Sequence, residues 1–311
     1  MVPYRTVLFV PGHKPAWVDK ALSAGADCVV LDLEDSVPAD LKEGARRTVA
    51  DSIRAVRRAE PRVGLFVRVN PLDTRTTGAD LEAVVVPGLT GVFAPKVGAA
   101  TDVLRYDALL DHFEDRNGVS GLEYIVPVET IGAIQDAREI AQASPRVGAM
   151  IGPTAEHADI ARAVGYRWTP EGEETLYLRS RVLLACREAG IHPLTGLWER
   201  LDDLAGLAAF AEHGRQLGFR GMVVIHPGHV PVVNDAFTPS AEDVAFHEGL
   251  VAAYERAAAE GSGAVRYRGV HIDKAHVDTA REWLAHARAL PGGGGPAPAD
   301  ALGIDAPEGG H

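Results

Sequence analysis

At six places along this chain a charged or polar side chain stands where an apolar run stops: Glu34 and Asp35, Arg68 and Asn70, Lys96, Glu129, the stretch holding Glu156 and Asp159, and His226. The first belongs to CVVLDLEDSV at 28–37, which also contains Asp32. Carboxylates without an accompanying His/Cys ligand spacing suit a hard, oxygen-seeking cation such as Mg2+. That ion keeps several waters and takes one or two protein carboxylates plus substrate oxygens. Arg68 and Lys96 add positive charge suited to a carboxylate or carbonyl oxygen of a small acid, the arginine through its two-pronged guanidinium. A metal with flanking cations stabilises an enolate. These residue types therefore point to a metal-assisted lyase or aldolase acting on an oxyacid. The plainer reading of any one position is a strand end meeting water, and recurrence in step with the apolar runs weakens it.

Residues so far apart in sequence need elements that bring them together. Apolar runs of strand length recur at 6–10, 28–33, 64–69, 91–95, 124–128, 147–151 and 222–225. Their lack of alternation predicts strands buried on both faces, as in parallel sheets. Between them lie stretches with helical spacing, such as WVDKALSAG, EGARRTVADSIRAV, TIGAIQDAREIAQA and ETLYLRSRVLLACREAG. HPLTGL can supply an eighth strand. Eight such units predict a TIM (β/α)8 barrel, in which parallel strands deliver their C-terminal residues to one mouth. The rival, an open doubly wound sheet, lacks its Gly-rich fingerprint after the first strand, where PGHKPAW stands instead. The barrel is expected over 1–235. A helical C-terminal lid follows over 236–290, two helices joined by a turn-like GSGAVRYRG. The Gly/Pro-rich stretch 291–311 is expected to be a disordered tail.

Composition bounds the function. The chain has 311 residues, 46% of them hydrophobic, enough for one large core. A formal net charge of −12 disfavours nucleic acid and anionic membrane as partners. Cys28 and Cys186 both fall in apolar patterns and read as buried thiols, and TVLFV is too short for a signal or membrane segment. The expectation is a cytoplasmic protein.

RTVLFVPG, DCVVLDLEDSV with Lys42 and Arg46, VRVN, APK, VPVETIGAI, YLRSRVLLACREAGI, LGFRGMVVIHPGHV and GAVRYRGVHID occur in this order over residues 5 to 288. In order and spacing they resemble the citrate lyase β-subunit-like branch of the HpcH/HpaI aldolase superfamily. The resemblance implies a TIM barrel that uses Mg2+ to cleave or form carbon–carbon bonds in 3-hydroxyacyl-CoA thioesters such as citryl-, malyl- or citramalyl-CoA. It implies Glu129 and Asp159 as metal ligands, with Glu129 and Lys96 beside the substrate. Arg68 is implied as the grip on the acid, and Arg5 as a substrate and thioester residue. Glu34 and Asp35 would hold metal waters and orient the arginine, while Asp32 faces inward as a structural partner. The alternative for these three acids is an ion-pair network with Lys42 and Arg46. Asp273 in GVHID would be the acid/base, reaching a neighbouring subunit of a homotrimer or hexamer.

The chain also departs from the family pattern. Ala158 precedes Asp159 where an acid is usual, so Glu156 is held as a reserve ligand on the assumption that the two acids share a helical face. His157 is added, and reads first as a solvated loop histidine. The usual acid after the seventh strand is replaced by Thr195 and its neighbours. A malyl-CoA-type thioesterase, or a relative that binds a CoA ester without turnover, are the alternatives.

Overall fold

A computed structural model describes residues 3–59 and 62–290, and in it the apolar runs become parallel strands separated by helices. The order begins β1 (Thr6–Pro11), α1 (Ala16–Ser23), β2 (Cys28–Asp32), α2 (Lys42–Ala59), β3 (Gly64–Arg68), α3 (Thr77–Val84), β4 (Gly91–Phe93) and α4 (Ala100–Asn117). It continues through β5 (Glu123–Pro127), α5 (Ile131–Gln135), α6 (Ala137–Gln142), β6 (Val147–Gly152), α7 (Asp159–Val164) and α8 (Glu173–Ala189). β7 (His192–Thr195), α9 (Leu204–Leu217), β8 (Met222–Val224) and α10 (Val230–Phe237) complete it. Each strand pairs with the next, and β1 pairs with β8 through Thr6↔Met222 and Leu8↔Val224, closing a TIM barrel.

The closed sheet explains the uninterrupted apolar runs. Side chains alternate between two buried environments, since one face meets the helices and the other fills the barrel. Val29, Leu31, Leu65 and Val67 join the large strand–helix core, whereas Val30, Phe66, Phe93, Ile125 and Ile151 form the barrel interior. Both thiols, Cys28 and Cys186, are free and buried.

Parallel register is what positions the site. Asp32 is the cross-strand neighbour of Arg68, and Pro127 that of Ile151. The strand ends therefore stand at matched heights around one mouth.

The chain divides into two compact units between Phe237 and Thr238. The second contains α11 (Ala241–Ala259), an antiparallel hairpin of β9 (Ala264–Tyr267) and β10 (Val270–Asp273), and α12 (Lys274–Ala289). GSGAVRYRG is thus not merely a turn but supplies β9, with Arg268 and Gly269 at the bend in positive φ. Leu250, Ile272, Val277 and Ala280 form this unit's own apolar cluster. The expectation for TIGAIQDAREIAQA also changes, because Asp136 at φ −95°, ψ 19° separates α5 from α6. The tail expected over 291–311 lies outside the described residues. No helix among the described residues is long and apolar enough to cross a membrane.

Candidate active site

Arg68 ends β3 beside three acids from β2 and its loop. Its Nε and Nη2 donate to the two carboxylate oxygens of Asp32, both at 2.7 Å. Nη1 lies 2.9 Å from Glu34 Oε2 and 3.7 Å from Asp35 Oδ2. The guanidinium also covers the Phe9 ring, 5.0 Å from its centroid. This corrects the expected use of the arginine: its fork is engaged by Asp32, and Nη1 is the nitrogen shared among the other acids. Asp32 is buried yet stays ionised. Against the opposing effect of burial, hydrogen bonds from Arg68 and Ser36 hold its carboxyl below the usual range. Glu34 is different, because burial outweighs Arg68 and pushes it up to about 7.

The second half of the site is built around Lys96. Its backbone adopts φ 54°, a left-handed conformation that a side-chain-bearing residue rarely takes. There its amide donates to Glu129 Oε1 at 2.6 Å. Its ammonium meets Asp159 and stands 3.9 Å from Glu129. Glu129 follows β5 and Asp159 opens α7, so two elements direct carboxylates at one cation. Lys96 and, more weakly, Arg162 hold Asp159 below the ordinary carboxylate range. Burial raises Glu129.

Asp35, Arg68, Lys96, Glu129, His157 and Asp159 line one cavity of about 290 Å3. Its floor is apolar, made by Phe9, Phe93, Ile151, Leu197 and Val223 from the top of the barrel interior. The donor set fits a hard divalent cation, since two carboxylates from different elements already converge on one positive charge. Glu129 and Asp159 are the residues that could hold such an ion, with the Lys96 ammonium withdrawn.

Several expected residues lie elsewhere. Arg5 precedes β1 and donates from Nε and Nη2 to Asp27, before β2, at 2.8 and 2.7 Å. That is the N-terminal end of the barrel, opposite the mouth, so the assignment of Arg5 to the substrate is corrected. Glu156 does not share a helical face with Asp159, because α7 begins only at Asp159. Its carboxylate is 3.6 Å from Arg200 and clusters with His157 and Glu199, their ligand atoms within 4.8 Å of one another. His157 is exposed but not unpartnered, its Nδ1 lying 2.6 Å from Glu199. Lys42 and Arg46 do not pair with the acids at 32–35. Lys42 donates to the Leu33 and Glu34 carbonyls and to Asn70 Oδ1, while Arg46 pairs with Asp80. His226 is exposed and accepts from the Gly228 amide. Thr195 is fully buried at the end of β7.

Asp273, in the second unit, caps α12. Its Oδ1 accepts from the amides of Ala275 and His276 and lies 2.7 Å from the His276 ring nitrogen. The hydrogen bond from His276 keeps its carboxyl below the usual range.

Sequence reasoning missed three contributors. Asp80, fully buried on α3, accepts from the Asn70 backbone and side-chain nitrogens and from Arg46, and so ties α2 and α3 to the end of β3. An acid within GADLEAV gives no spacing signal for this. Phe9 and Phe93, edge to face at 5.0 Å, read in sequence only as core.

Comparison with known proteins gives consistent results. The family model for HpcH/HpaI aldolase/citrate lyase matches residues 5–227. A (3S)-malyl-CoA thioesterase of Cereibacter sphaeroides is 33% identical over 288 residues, covering 93% of this chain and 96% of that protein. An L-malyl-CoA/beta-methylmalyl-CoA lyase of the same species is 34% identical over 309 residues, with the same coverage of 93% and 96%. Among solved structures, CitE of Mycobacterium tuberculosis in complex with magnesium, acetoacetate and coenzyme A superimposes with a TM-score of 0.70 at 29% identity. It covers 91% of this chain and 98% of that one.

Proposed function

The chain belongs to the HpcH/HpaI aldolase/citrate lyase family, and from that premise we propose that it is a Mg2+-dependent carbon–carbon lyase. Its substrate is a 3-hydroxyacyl-CoA thioester of the citryl-, malyl- or citramalyl-CoA kind, cleaved to acyl-CoA and an oxoacid or formed from them. The observation that carries this reading is the convergence of Glu129 and Asp159 on a single cation at the barrel mouth, beside Arg68. The magnesium in the CitE relative supports the choice of ion.

Mg2+, when bound, supplies Lewis-acid stabilisation of charge developing on substrate oxygens. Glu129 and Asp159 would hold the ion. Arg68, fixed by Asp32, presents Nη1 to the carboxylate of the acid. Glu34 and Asp35 hold that nitrogen in place. Lys96, at the same mouth, would offer its ammonium to the carbonyl side of the substrate. Asp273, a carboxylate in contact with His276, would take the proton of the hydroxyl group as the carbon–carbon bond breaks and give it to the α-carbon of the acyl-CoA enolate, in a neighbouring subunit of a homotrimer or hexamer.

Hydrolysis of the thioester is the second reading, favoured by the 33% identity to a malyl-CoA thioesterase. A panel of 3-hydroxyacyl-CoA esters assayed with Mg2+ and with chelator separates the two. Lyase action releases an oxoacid with the acyl-CoA intact, whereas hydrolysis releases free CoA thiol and the hydroxy acid. Turnover unaffected by chelator would refute the metal assignment.

A further inference from the structure

From the loops that follow β6 and β7 we infer a second divalent-metal site, in which Glu156, His157 and Glu199 hold an ion that accepts imidazole, such as Zn2+. It is separate from the Glu129–Asp159 pair and does not depend on the lyase reading.

The three side chains already converge. One ligand atom from each lies within 4.8 Å of the other two, and His157 Nδ1 is 2.6 Å from Glu199 Oε2. Around a tetrahedral Zn2+ bonded at about 2.1 Å, neighbouring ligand atoms stand roughly 3.4 Å apart. The closest contact would therefore open by less than about 1 Å and the wider ones close by about 1.4 Å at most. Small side-chain rotations supply both.

The residue types select the ion. Two carboxylates and one imidazole form a mixed nitrogen and oxygen set of the kind that holds zinc through three protein ligands, leaving a further position for water. Mg2+ prefers an all-oxygen octahedral shell and gives up its waters reluctantly, so Glu129 and Asp159 suit it better. His157 also lines the mouth cavity, so the second site adjoins the first.

Both loops are fixed by aromatic anchors. Tyr166 Oη donates to the Ala155 carbonyl and Trp168 Nε1 to that of Thr154, each at 2.7 Å, which ties down the chain entering Glu156. Trp198, next to Glu199, is buried and packs edge to face on Trp168, with ring centroids 5.6 Å apart. Glu199 in turn accepts from the His157 amide at 3.2 Å. Ligands held in this way need little ordering when an ion arrives. Arg200 opposes the ion, since its Nη2 lies 3.6 Å from Glu156 Oε2 while its guanidinium rests over the Trp168 ring at 4.9 Å. One guanidinium against two carboxylates still leaves negative charge for a cation to meet.

The test is a calorimetric titration of Zn2+ into the full-length protein at a fixed, saturating concentration of Mg2+. One Zn2+ per chain is expected. His157→Ala and Glu199→Gln should each weaken it about tenfold or more, with circular dichroism and Mg2+ binding unchanged. Glu129→Gln should leave Zn2+ affinity within about twofold, because it alters the other site. Arg200→Gln, which removes the opposing cation, should tighten Zn2+ binding. Native protein that takes up no Zn2+ under these conditions would overturn the inference, as would Zn2+ affinity unchanged in both His157→Ala and Glu199→Gln. Loss of Zn2+ binding in Glu129→Gln alone would also overturn it, by placing the ion at the first site. Mg2+ binding by the native protein is measured separately, and its failure would count against the lyase reading alone.

Discussion

Glu129 and Asp159 belong to different elements yet share one ammonium, so each should be needed for a divalent ion that takes its place. An amide is a far weaker ligand than a carboxylate for a hard cation. Glu129→Gln and Asp159→Asn are each expected to weaken Mg2+ binding about tenfold or more in calorimetry, with circular dichroism unchanged. Glu156→Gln should leave it within about twofold, because Glu156 faces Arg200, His157 and Glu199. The opposite ranking would make Glu156 the ligand. A second expectation concerns Glu34, which burial pushes up from 4.5 to about 7. The folded state binds the extra proton between these values, so stability falls as pH rises through roughly 4.5 to 7, by about 3 kcal/mol in all. Urea unfolding of native protein and Glu34→Gln at pH 5 and pH 7.5 isolates this term. The native protein should lose stability relative to the variant at the higher pH, and parallel behaviour of the two would contradict the assignment.

Among the elements, the short strand β4 is tightly constrained in the barrel. A Cβ at Gly91 would lie 2.1 Å from the Glu123 carbonyl oxygen and 2.5 Å from the Phe66 ring. Glycine is required there for close approach to β5, whose end carries Glu129. Gly91→Ala should therefore cost about 3 kcal/mol in urea unfolding, at the upper end for overpacking. A loss below about 1 kcal/mol would mean that β4 and β5 shift apart freely, and Mg2+ affinity should then drop with the displaced Glu129. The loop after β2 is held differently. Lys42 on α2 binds its carbonyls, and Asn70 and Asp80 link that lysine to the end of β3. The acids at 34 and 35 thus stand on a loop clamped by buried polar contacts rather than by ion pairs of their own to α2.

For the whole molecule, the proposal that Asp273 serves a neighbouring subunit makes a complementation experiment decisive. Asp273→Asn and Glu129→Gln chains should each be inactive alone as homo-oligomers. After subunit exchange, a mixed interface can combine an intact Asp273 with an intact Glu129 and restore part of the activity. Sedimentation should show a trimer or hexamer in both cases. No recovery despite exchange verified by native mass spectrometry, or full turnover by a monomer, would remove the shared-site proposal.

The barrel and its family were legible in the residue order because both depend on local pattern. Doubly buried strands need continuous apolar runs, and amphipathic stretches between them leave few other ways to cover both faces of the sheet. Strand ends carrying Arg68, Lys96 and Glu129 could therefore be assigned to one mouth before any contact was known. Three features depended on the fold in space. The pairing of Arg68 with Asp32 follows from the register of β2 against β3, which no single strand encodes. The placement of Arg5 with Asp27 follows from its position before β1, at the end of the barrel away from the mouth. The different partners of Asp159 and Glu156 turn on where α7 starts, since one turn of difference sends one carboxylate to Lys96 and the other to Arg200. Periodicity determines which residues are buried and which end of a strand is polar. Direction and partner of a charged side chain depend on neighbours distant in sequence, and only the closed barrel supplies those.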